Sequence, residues 1–241
     1  MLITSLDNNK IKEIIKLNTS KYRKESSLFI VEGYHLVEEA YKANLLQEVL
    51  ILDSKDISYE VEKTYVTESV MKKITALESY TEVIGICKMK DDKISGSHIL
   101  MLDNIQDPGN LGTIIRSAVA FNIDTIVMSY DTVDIYNPKV VRSSQGMLFH
   151  VNLVKTDLIK TINALKTDGY KIYSTDVENG IEINKVKNTN KYVIIIGNEG
   201  NGVKKEMLSM TDEKIYIKMN DKCESLNAGV AASIILYELS R

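Results

Sequence analysis

Residues 192–203, YVIIIGNEGNGV, decide the fold of this chain. The stretch begins as an uninterrupted apolar and β-branched run, which is typical of a strand covered on both faces. Glycines at 197, 200 and 202 follow at once, so the chain must turn tightly there, and backbone N–H groups are expected to point at a bound ligand. A helix is predicted after the turn. Such a unit predicts a parallel α/β sheet with ligands at the carboxyl ends of its strands.

The same alternation continues on both sides of this stretch, from residue 98 to the end of the chain. Apolar runs predict strands at 99–102, 125–129, 151–154, 170–174, 193–196 and 214–217. Helical spacing predicts helices at 111–121, 138–145, 157–166, 203–209 and 226–239. Strands and helices that alternate in this way predict a parallel sheet with helices on both faces.

The N-terminal part is interpreted as a second, smaller α/β domain. Strands are predicted at 28–31, 49–52 and 83–87, and helices at 34–42, at 69–77 and at 11–17, where apolar residues recur at helical spacing. Residues 88–97, KMKDDKISGS, are polar and end in Ser-Gly-Ser, which is typical of a linker. We therefore divide the chain into one domain at 1–95 and another at 96–241.

Composition excludes several classes of protein. The 241 residues include 30 Lys and Arg against 33 Asp and Glu, a net charge of −3, and 44% are hydrophobic, as in ordinary globular proteins. The longest apolar stretch is far below the roughly 18 residues that span a bilayer. No secretory leader is visible, so a cytoplasmic protein without membrane contact is expected. The two distant cysteines, Cys87 and Cys223, support neither a disulfide framework nor a zinc site, and no metal is expected.

A run of basic residues lies near the N-terminus. Residues 10–24 contain six Lys or Arg and one acidic residue. Such a run is either a solvated surface or an arm that contacts phosphates, and composition alone leaves both open.

One loop, at residues 102–118, carries an arginine among apolar neighbours. Asp107-Pro108-Gly109 predicts a turn, and Asn110 is placed to cap the helix that follows. Arg116 lies between Ile115 and Ser117, where a guanidinium on the buried side of the helix would need an anion or a carbonyl. A core ion pair and a bound phosphate or substrate both fit that requirement.

Two later loops carry polar residues that a core does not require. Glu199 lies among the glycines of residues 192–203, where its carboxylate would repel a phosphate, so the ligand is not expected to be a bare phosphate. The G-x-x-G-x-G spacing also differs from the dinucleotide fingerprint. Ser225 is predicted to cap the last helix, Asn227 follows at its start, and the small residues of 228–232 permit close approach of a ligand.

Taken in order, the three loops resemble the motifs of the SpoU (TrmH) family of RNA ribose 2'-O-methyltransferases. The matching patterns are N-x-x-D-P-x-N-x-G-x-x-x-R at 104–116, I-G-x-E-x-x-G at 196–202, and I-x-M followed by S-L-N within 217–227. The resemblance covers residues 98–241. Upstream, residues 3–5, 21–23 and 29–33 resemble the L30e-like substrate-binding domain that precedes the catalytic domain in many members.

This resemblance implies a SPOUT domain, in which a parallel sheet with a deep trefoil knot holds S-adenosylmethionine. It also implies a homodimer with the active site at the subunit interface. The residues that it identifies as catalytic are Arg116, Glu199, Ser225 and Asn227. The residues that it places at the cofactor are Gly197, Ile217, Leu226, Thr175 and Met219.

The activity implied by the resemblance is 2'-O-methylation of a ribose in structured RNA. Because the sulfonium already activates the methyl group, the enzyme mainly has to align the 2'-oxygen and help it lose its proton. Arg116 would hold the ribose through a phosphate and stabilise the developing alkoxide. The general base is not identified, since a guanidinium stays protonated.

Ribosomal RNA, 23S rRNA in particular, is favoured over transfer RNA because a whole N-terminal domain is available to dock structured RNA. A tRNA 2'-O-methyltransferase and a catalytically silent RNA-binding protein of the same fold remain alternatives. A nucleotide-binding dehydrogenase is disfavoured, because the glycine turn occurs late in the chain and lacks the dinucleotide spacing.

Overall fold

A computed structural model of the chain describes residues 2–76, 81–176, 180–186, 189–198 and 200–241. The strands are β1 Leu2–Ile3, β2 Leu28–Glu32, β3 Leu46–Leu52, β4 Glu62–Val66, β5 Val83–Lys88, β6 His98–Leu102, β7 Thr125–Met128, β8 Asn152–Lys155, β9 Lys171–Thr175, β10 Ile181–Glu182, β11 Tyr192–Ile196 and β12 Glu213–Tyr216. The α-helices are α1 Asn9–Lys16, α2 Ser20–Ser26, α3 Tyr34–Lys42, α4 Glu68–Ile74, α5 Pro108–Ala120, α6 Pro138–Ser143, α7 Leu158–Thr167, α8 Lys205–Leu208 and α9 Ala228–Leu239. Two 3-10 turns lie at Met147–Phe149 and Ile183–Lys185.

The chain forms two compact units. One contains Met1–Asp91 together with Asp134–Phe149, and the other contains Asp92–Val133 together with His150–Arg241. No pattern in the sequence indicated that residues 134–149 belong with the N-terminal part. The division into domains at 1–95 and 96–241 stays a prediction. The helix predicted at 69–77 is α4, and the last residue of that prediction, Leu77, lies outside the described residues.

The first unit is built on a mixed sheet with the strand order β1-β4-β3-β5-β2. β1, β4 and β3 run parallel, whereas β5 is antiparallel to β3 and to β2. The apolar side chains of α1 and α4 form one cluster with residues of this sheet, which includes Ile11, Met71, Leu50 and Ile84. The sequence missed β1, β4 and α2, because none of them has a strong apolar run.

An ion pair between buried Arg23 and partly buried Asp134 joins two distant segments of the first unit. Arg23 is only 3% exposed, and its Nε and Nη2 donate to Oδ2 of Asp134 at 3.2 and 2.5 Å. Its Nη1 donates to the carbonyl of Leu17 at 2.8 Å. Beside the pair, the ring of Phe29 packs on that of Tyr136, with centroids 4.4 Å apart. The interpretation of the basic run as an arm that contacts phosphates is therefore wrong for Arg23, whose guanidinium is occupied within the fold.

The other basic residues of this run are mostly paired as well. Carboxylates lie within 4.0 Å of the ammonium groups of Lys10, Lys12, Lys16 and Lys21. Among the described residues, Lys24 has no such carboxylate partner. The run is therefore a set of surface ion pairs rather than an uncompensated positive patch.

The second unit contains the parallel sheet that the sequence predicts. Its described strands pair in the order β10-β12-β9-β11-β6-β7-β8, and every pairing is parallel. All residues of β11 are buried, as expected of a central strand covered on both faces. The α/β fold class is confirmed, whereas the trefoil knot stays a prediction. No helix in the described part of the chain is long and apolar enough to cross a membrane.

Acid should weaken the Arg23–Asp134 pair. Desolvation raises the pKa of the Asp134 carboxyl, but the hydrogen bonds and charge of Arg23 outweigh it and leave that pKa below its ordinary value. A carboxyl with a depressed folded-state pKa stabilises the fold above its unfolded pKa of about 3.9, and loses that contribution as the pH falls through the folded value. In urea titrations, we expect Asp134→Asn to lower the unfolding free energy at pH 7 and to flatten its decline below about pH 4.

Arg23→Ala should cost about 2 kcal/mol at pH 7, because it leaves the Asp134 carboxylate without its charged partner; the cost is below that of a fully buried pair, since this carboxylate is 22% exposed. Asp7→Asn, which removes an exposed pair with Lys12, is the matched control and should change neither quantity measurably. An acid dependence of Asp134→Asn equal to that of the unmodified chain would contradict this account.

Candidate active site

Parallel strand pairing brings the loops of the second unit to one edge of the sheet. β6 and β11 pair in register from His98 opposite Tyr192 to Leu102 opposite Ile196. The N–H of Asp103 then donates to the carbonyl of Ile196 at 2.9 Å, one residue beyond β6. The loops that leave β6 and β11 therefore start side by side, at the edge where α/β proteins bind ligands.

A cavity of about 470 Å³ lies at this edge, within the usual size of small-molecule sites. It is bordered by the loop after β11, the chain after β12 and the first turns of α9. Six of the residues singled out from the sequence line it, namely Thr175, Gly197, Ile217, Met219, Ser225 and Leu226. The structure shows that these six residues line one cavity. The role of each residue stays a prediction.

The remaining candidates lie elsewhere. Glu199 lies outside the described residues. Asn227 is exposed and is not among the residues that line the cavity. Arg116 is also absent from the described lining, and it is exposed on α5, whereas the buried residues of that helix include Ile114 and Ile115. The expectation that Arg116 lies on the buried side of its helix is therefore wrong.

Asn198 organises residues 197–203, which we call the glycine loop. Its backbone N–H and C=O pair with those of Gly202 at 3.0 and 2.9 Å. Its side-chain Oδ1 accepts from the N–H groups of Gly200 and Asn201 at 2.9 and 3.1 Å. The N–H groups of these four residues, 198, 200, 201 and 202, are thus satisfied inside the loop, and the expectation that loop N–H groups point at a ligand is wrong for these four. Sequence reasoning missed Asn198, although an Asn before glycines is a known signal for a side-chain-stabilised turn.

Gly197 is required by the loop itself. A Cβ at this position would lie 2.0 Å from the carbonyl carbon of Gly202 and 2.2 Å from the N of Val203. Any side chain there would collide with backbone atoms of the protein. A larger residue at 197 would therefore disrupt the glycine loop whether or not it also excluded a ligand.

The loop after β6 holds the glycine loop at two points. The carbonyl of Asn104 accepts from Nδ2 of Asn198 at 2.9 Å. Asp103, only 1% exposed, accepts at Oδ2 from the N–H of Lys204 at 3.1 Å, and its Oδ1 lies 3.2 Å from Nζ of the same lysine. Both ends of the glycine loop are thus bonded to residues that directly follow β6.

The capping residues of the two long helices at the site differ from those predicted. Asp107, not Asn110, is the N-cap of α5, and its side chain accepts from the N–H of Asn110 at 2.8 Å. Asn227, not Ser225, caps α9 by accepting from the N–H groups of Gly229 and Val230. In both cases the predicted residue lies within three positions of the true cap.

Helices α5 and α9 are joined side by side through small and polar residues. Nδ2 of Asn227 donates to Oδ1 of Asn110 at 2.8 Å, and the hydroxyls of Ser117 and Ser233 lie 2.7 Å apart. A Cβ on Gly229 would lie 3.2 Å from Thr113, so the helices approach closely at this point. The helix that carries Arg116 is therefore fixed against the helix that lines the cavity.

The wall of the cavity combines apolar and acidic groups. Ile217, Leu226 and Ile235 supply apolar surface suited to an aromatic ring. Glu224 is exposed at the cavity, and Asp176 is bonded to Nζ of Lys214 at 2.7 Å. Carboxylates beside an apolar wall suit a ligand that carries both an aromatic ring and a positive charge. Among the described residues, no cluster of three His, Cys, Asp or Glu side chains could hold a metal ion.

The chain is similar to known proteins over nearly its whole length. Residues 97–237 match the SpoU rRNA Methylase family, and residues 8–85 match the MRM3-like substrate binding domain. The chain is 36% identical over 243 residues to the 23S rRNA (guanosine(2553)-2'-O)-methyltransferase RlmP of Bacillus subtilis (strain 168), with 98% of each chain covered.

Solved structures are similar as well. The AdoMet-bound rRNA methyltransferase from Sinorhizobium meliloti matches with a TM-score of 0.89 and 25% identity, over 99% of this chain and 97% of that chain. The SpoU methyltransferase AviRb from Streptomyces viridochromogenes, in complex with AdoMet, matches with a TM-score of 0.86 over 97% of each chain. Its identity of 24% shows a likeness of fold alone.

Proposed function

The chain belongs to the SpoU rRNA Methylase family, and from that premise we propose that it methylates a ribose 2'-oxygen of 23S rRNA with S-adenosylmethionine. The observation that carries the proposal is the cavity at the carboxyl ends of the parallel strands. Its wall contains residues of two of the three motifs, at 196–202 and 217–227. We propose that the enzyme acts in the cytoplasm, which is consistent with a bacterial rRNA substrate.

The cavity residues fit this cofactor. We assign the apolar side chains of Ile217 and Leu226 to the adenine ring, with Thr175 and Met219 beside it. The exposed carboxylate of Glu224 would favour the positive charge of the cofactor, whereas that of Asp176 is already paired with Lys214. When bound, S-adenosylmethionine supplies an activated methyl group, so the protein contributes alignment and help with the departing proton.

The polar candidates take different roles in this proposal. Ser225 lines the cavity, and in this proposal its hydroxyl contacts the ribose. The exposed guanidinium of Arg116 would bind an RNA phosphate and stabilise the developing alkoxide. The amide of Asn227 is engaged by α9 and by Asn110, so we assign it a positioning role. Glu199 is assigned to catalysis on its motif alone.

We propose further that the enzyme is a homodimer with composite active sites. Arg116 is exposed and does not belong to the described lining of the cavity in its own chain. α9, which lines that cavity, exposes Val230 at 46% and Tyr237 at 49%. Exposed apolar side chains beside a site are typical of surfaces that another protein covers. A second copy that covers this face would bring its own Arg116 to the cavity, and two-fold symmetry would complete both sites together.

RNA docking is assigned to the first unit, on the match of residues 8–85 to a substrate binding domain. Lys21 and Lys24 are exposed and could contact phosphates, whereas Arg23 could not. Residues 134–149 belong to this unit, and Tyr136 packs on Phe29 within it. A chain that starts at Gly96 would expose that apolar contact, so tests of RNA binding require the full chain.

The first test is methyl transfer itself. We expect the full chain to transfer tritiated methyl from S-adenosylmethionine to unmodified 23S rRNA, with a 2'-O-methylnucleotide detected by mass spectrometry after digestion. Arg116→Ala should lower the transfer rate by about 100-fold or more, because it removes the group that stabilises developing charge. Its affinity for S-adenosylhomocysteine, measured by calorimetry, should stay within about threefold of the affinity of the unmodified chain, so the change should be well below tenfold. An equal loss of affinity and rate would place Arg116 at the cofactor instead.

The second test fills the cavity. Ala231 lies in the wall on α9, so Ala231→Leu should place a larger side chain in the cofactor site. We expect it to weaken S-adenosylhomocysteine binding at least tenfold, which is about 1.4 kcal/mol or more. Ala164→Leu, on the exposed side of α7, is the matched control and should bind normally. Unchanged affinity in Ala231→Leu would exclude this cavity as the cofactor site.

The third test mixes the two defective chains. At a cofactor concentration that fills the unmodified site but not the weakened one, Arg116→Ala and Ala231→Leu homodimers should each have low activity. In a mixed dimer with composite sites, the intact cavity of one chain meets the intact arginine of the other. Random exchange should then restore about one quarter of normal activity, because half of the dimers are mixed and each has one intact site. If each site is complete within one chain, mixing should restore nothing.

A further inference from the structure

We propose that Asn198 is a positioning residue for methyl transfer, whose side-chain amide aligns the glycine loop with the loop after β6. This inference rests on the proposed function, since the alignment matters only if the two loops hold cofactor and substrate. None of the three motifs assigns a role to this position, which is the first of the three variable positions in I-G-x-E-x-x-G.

The first half of the amide shapes the glycine loop. Oδ1 accepts from the N–H groups of Gly200 and Asn201 at 2.9 and 3.1 Å. The paired backbone bonds between Asn198 and Gly202 close the loop at its base. Because Asn198 also lines the cavity, the shape of this loop sets one wall of the cofactor site.

The second half of the amide reaches across to the loop after β6. Nδ2 donates to the carbonyl of Asn104 at 2.9 Å. Asn104 is itself held in a left-handed conformation, with φ of 59°, and its N–H donates to the buried hydroxyl of Ser129 at 2.9 Å. That hydroxyl lies 3.1 Å from the hydroxyl of Thr132. The Asn104 carbonyl, which accepts from Asn198, is therefore held in place by the hydrogen bonds of its own loop. It cannot move with a displaced glycine loop unless those hydrogen bonds break.

The position of Asn104 gives this bond a consequence for catalysis. Three residues later, Asp107 caps α5, the helix that carries Arg116. One side-chain amide thus bonds the loop at the cofactor cavity to the loop that leads to the proposed RNA-binding arginine. A displacement of about 1 Å between reacting groups can cost about 100-fold in rate. The Asn198 bond resists such a displacement.

The far end of the glycine loop has a separate attachment, from Lys204 to Asp103. The loop should therefore remain folded when the Asn198 bond to Asn104 is removed. This independence makes it possible to separate an effect on alignment from an effect on folding.

Asn198→Asp is the decisive variant. One carboxylate oxygen can still accept from the N–H groups of Gly200 and Asn201. The other replaces the amide NH₂ and faces the carbonyl of Asn104; since both of these oxygens only accept, no hydrogen bond can form between them. We expect S-adenosylhomocysteine affinity within about threefold of the unmodified chain, less than a tenfold change. The single-turnover rate of methyl transfer to 23S rRNA at saturating cofactor should fall about 100-fold.

Asn198→Ala removes both halves of the amide. Amide hydrogen exchange of the peptide that contains Gly200 and Asn201 should speed up in this variant and stay slow in Asn198→Asp. Cofactor affinity should fall in Asn198→Ala together with the rate. Hydrogen exchange thus reports the loop shape without any need for catalysis.

Asn152→Asp is the control for the change from amide to acid. Nδ2 of Asn152 donates to the hydroxyl of Ser95 at 2.9 Å, and neither residue belongs to the cavity lining. This variant should transfer methyl at the normal rate. If Asn198→Asp fails to fold, Asn198→Ser takes its place, since a hydroxyl can still accept from the loop but is too short to bond Asn104.

Two results would overturn the inference. One is a normal transfer rate in Asn198→Asp, or in its serine replacement. The other is a parallel loss of affinity and rate in that variant, which would make Asn198 a wall of the cavity and nothing more. Failure of the proposed function is distinguishable, because the unmodified chain would then bind the cofactor without methylating 23S rRNA.

Discussion

The pairing of β6 with β11 is the constraint on which the site depends. It continues past the end of β6, where the N–H of Asp103 donates to the carbonyl of Ile196. Because the strands are parallel, both following loops leave the sheet at the same edge and in the same direction. All residues of β11 are buried, so a shift of the pairing would move its side chains out of their close-packed positions in the core. The core of the unit therefore brings the loops together independently of the bonds that the loops make themselves.

The loops then hold each other through polar groups rather than through packing. Asn198 satisfies the N–H groups of its own loop and bonds to Asn104, while buried Asp103 holds Lys204. Such bonds fix the geometry of a site more sharply than apolar contacts do, because they have direction as well as distance. The glycines have a different function here. Gly197 leaves room for the backbone of Gly202, which lets the loop fold back on itself.

The sequence predicted the parts of the fold that follow from apolar runs. Buried strands such as β6 and β11 were predicted to within one residue, because a strand covered on both faces has no polar position. The helix caps were not predicted, since several neighbouring residues can accept the same N–H groups and only the backbone angles decide among them. Ser225 and Asn227 are such a pair. Arg116 was expected on the buried side of α5 but is exposed. This error has a similar origin, because a helix of small apolar residues has no clear polar face.

The remaining error is the expectation that Arg23 offers its charge at the surface. It arose because the partner of Arg23 is distant in the sequence. Arg23 and Asp134 are 111 positions apart, so no local pattern could reveal that the arginine is buried. The exposed pairs of Lys12, Lys16 and Lys21 are different in kind. A surface ion pair contributes about 0 to 1 kcal/mol, so an RNA phosphate can replace its carboxylate at little cost. Removing one partner of a fully buried pair costs about 3 to 5 kcal/mol, and the Arg23–Asp134 pair, with its carboxylate 22% exposed, lies between these two cases. The lysines of this run therefore remain able to bind RNA, although the arginine between them does not.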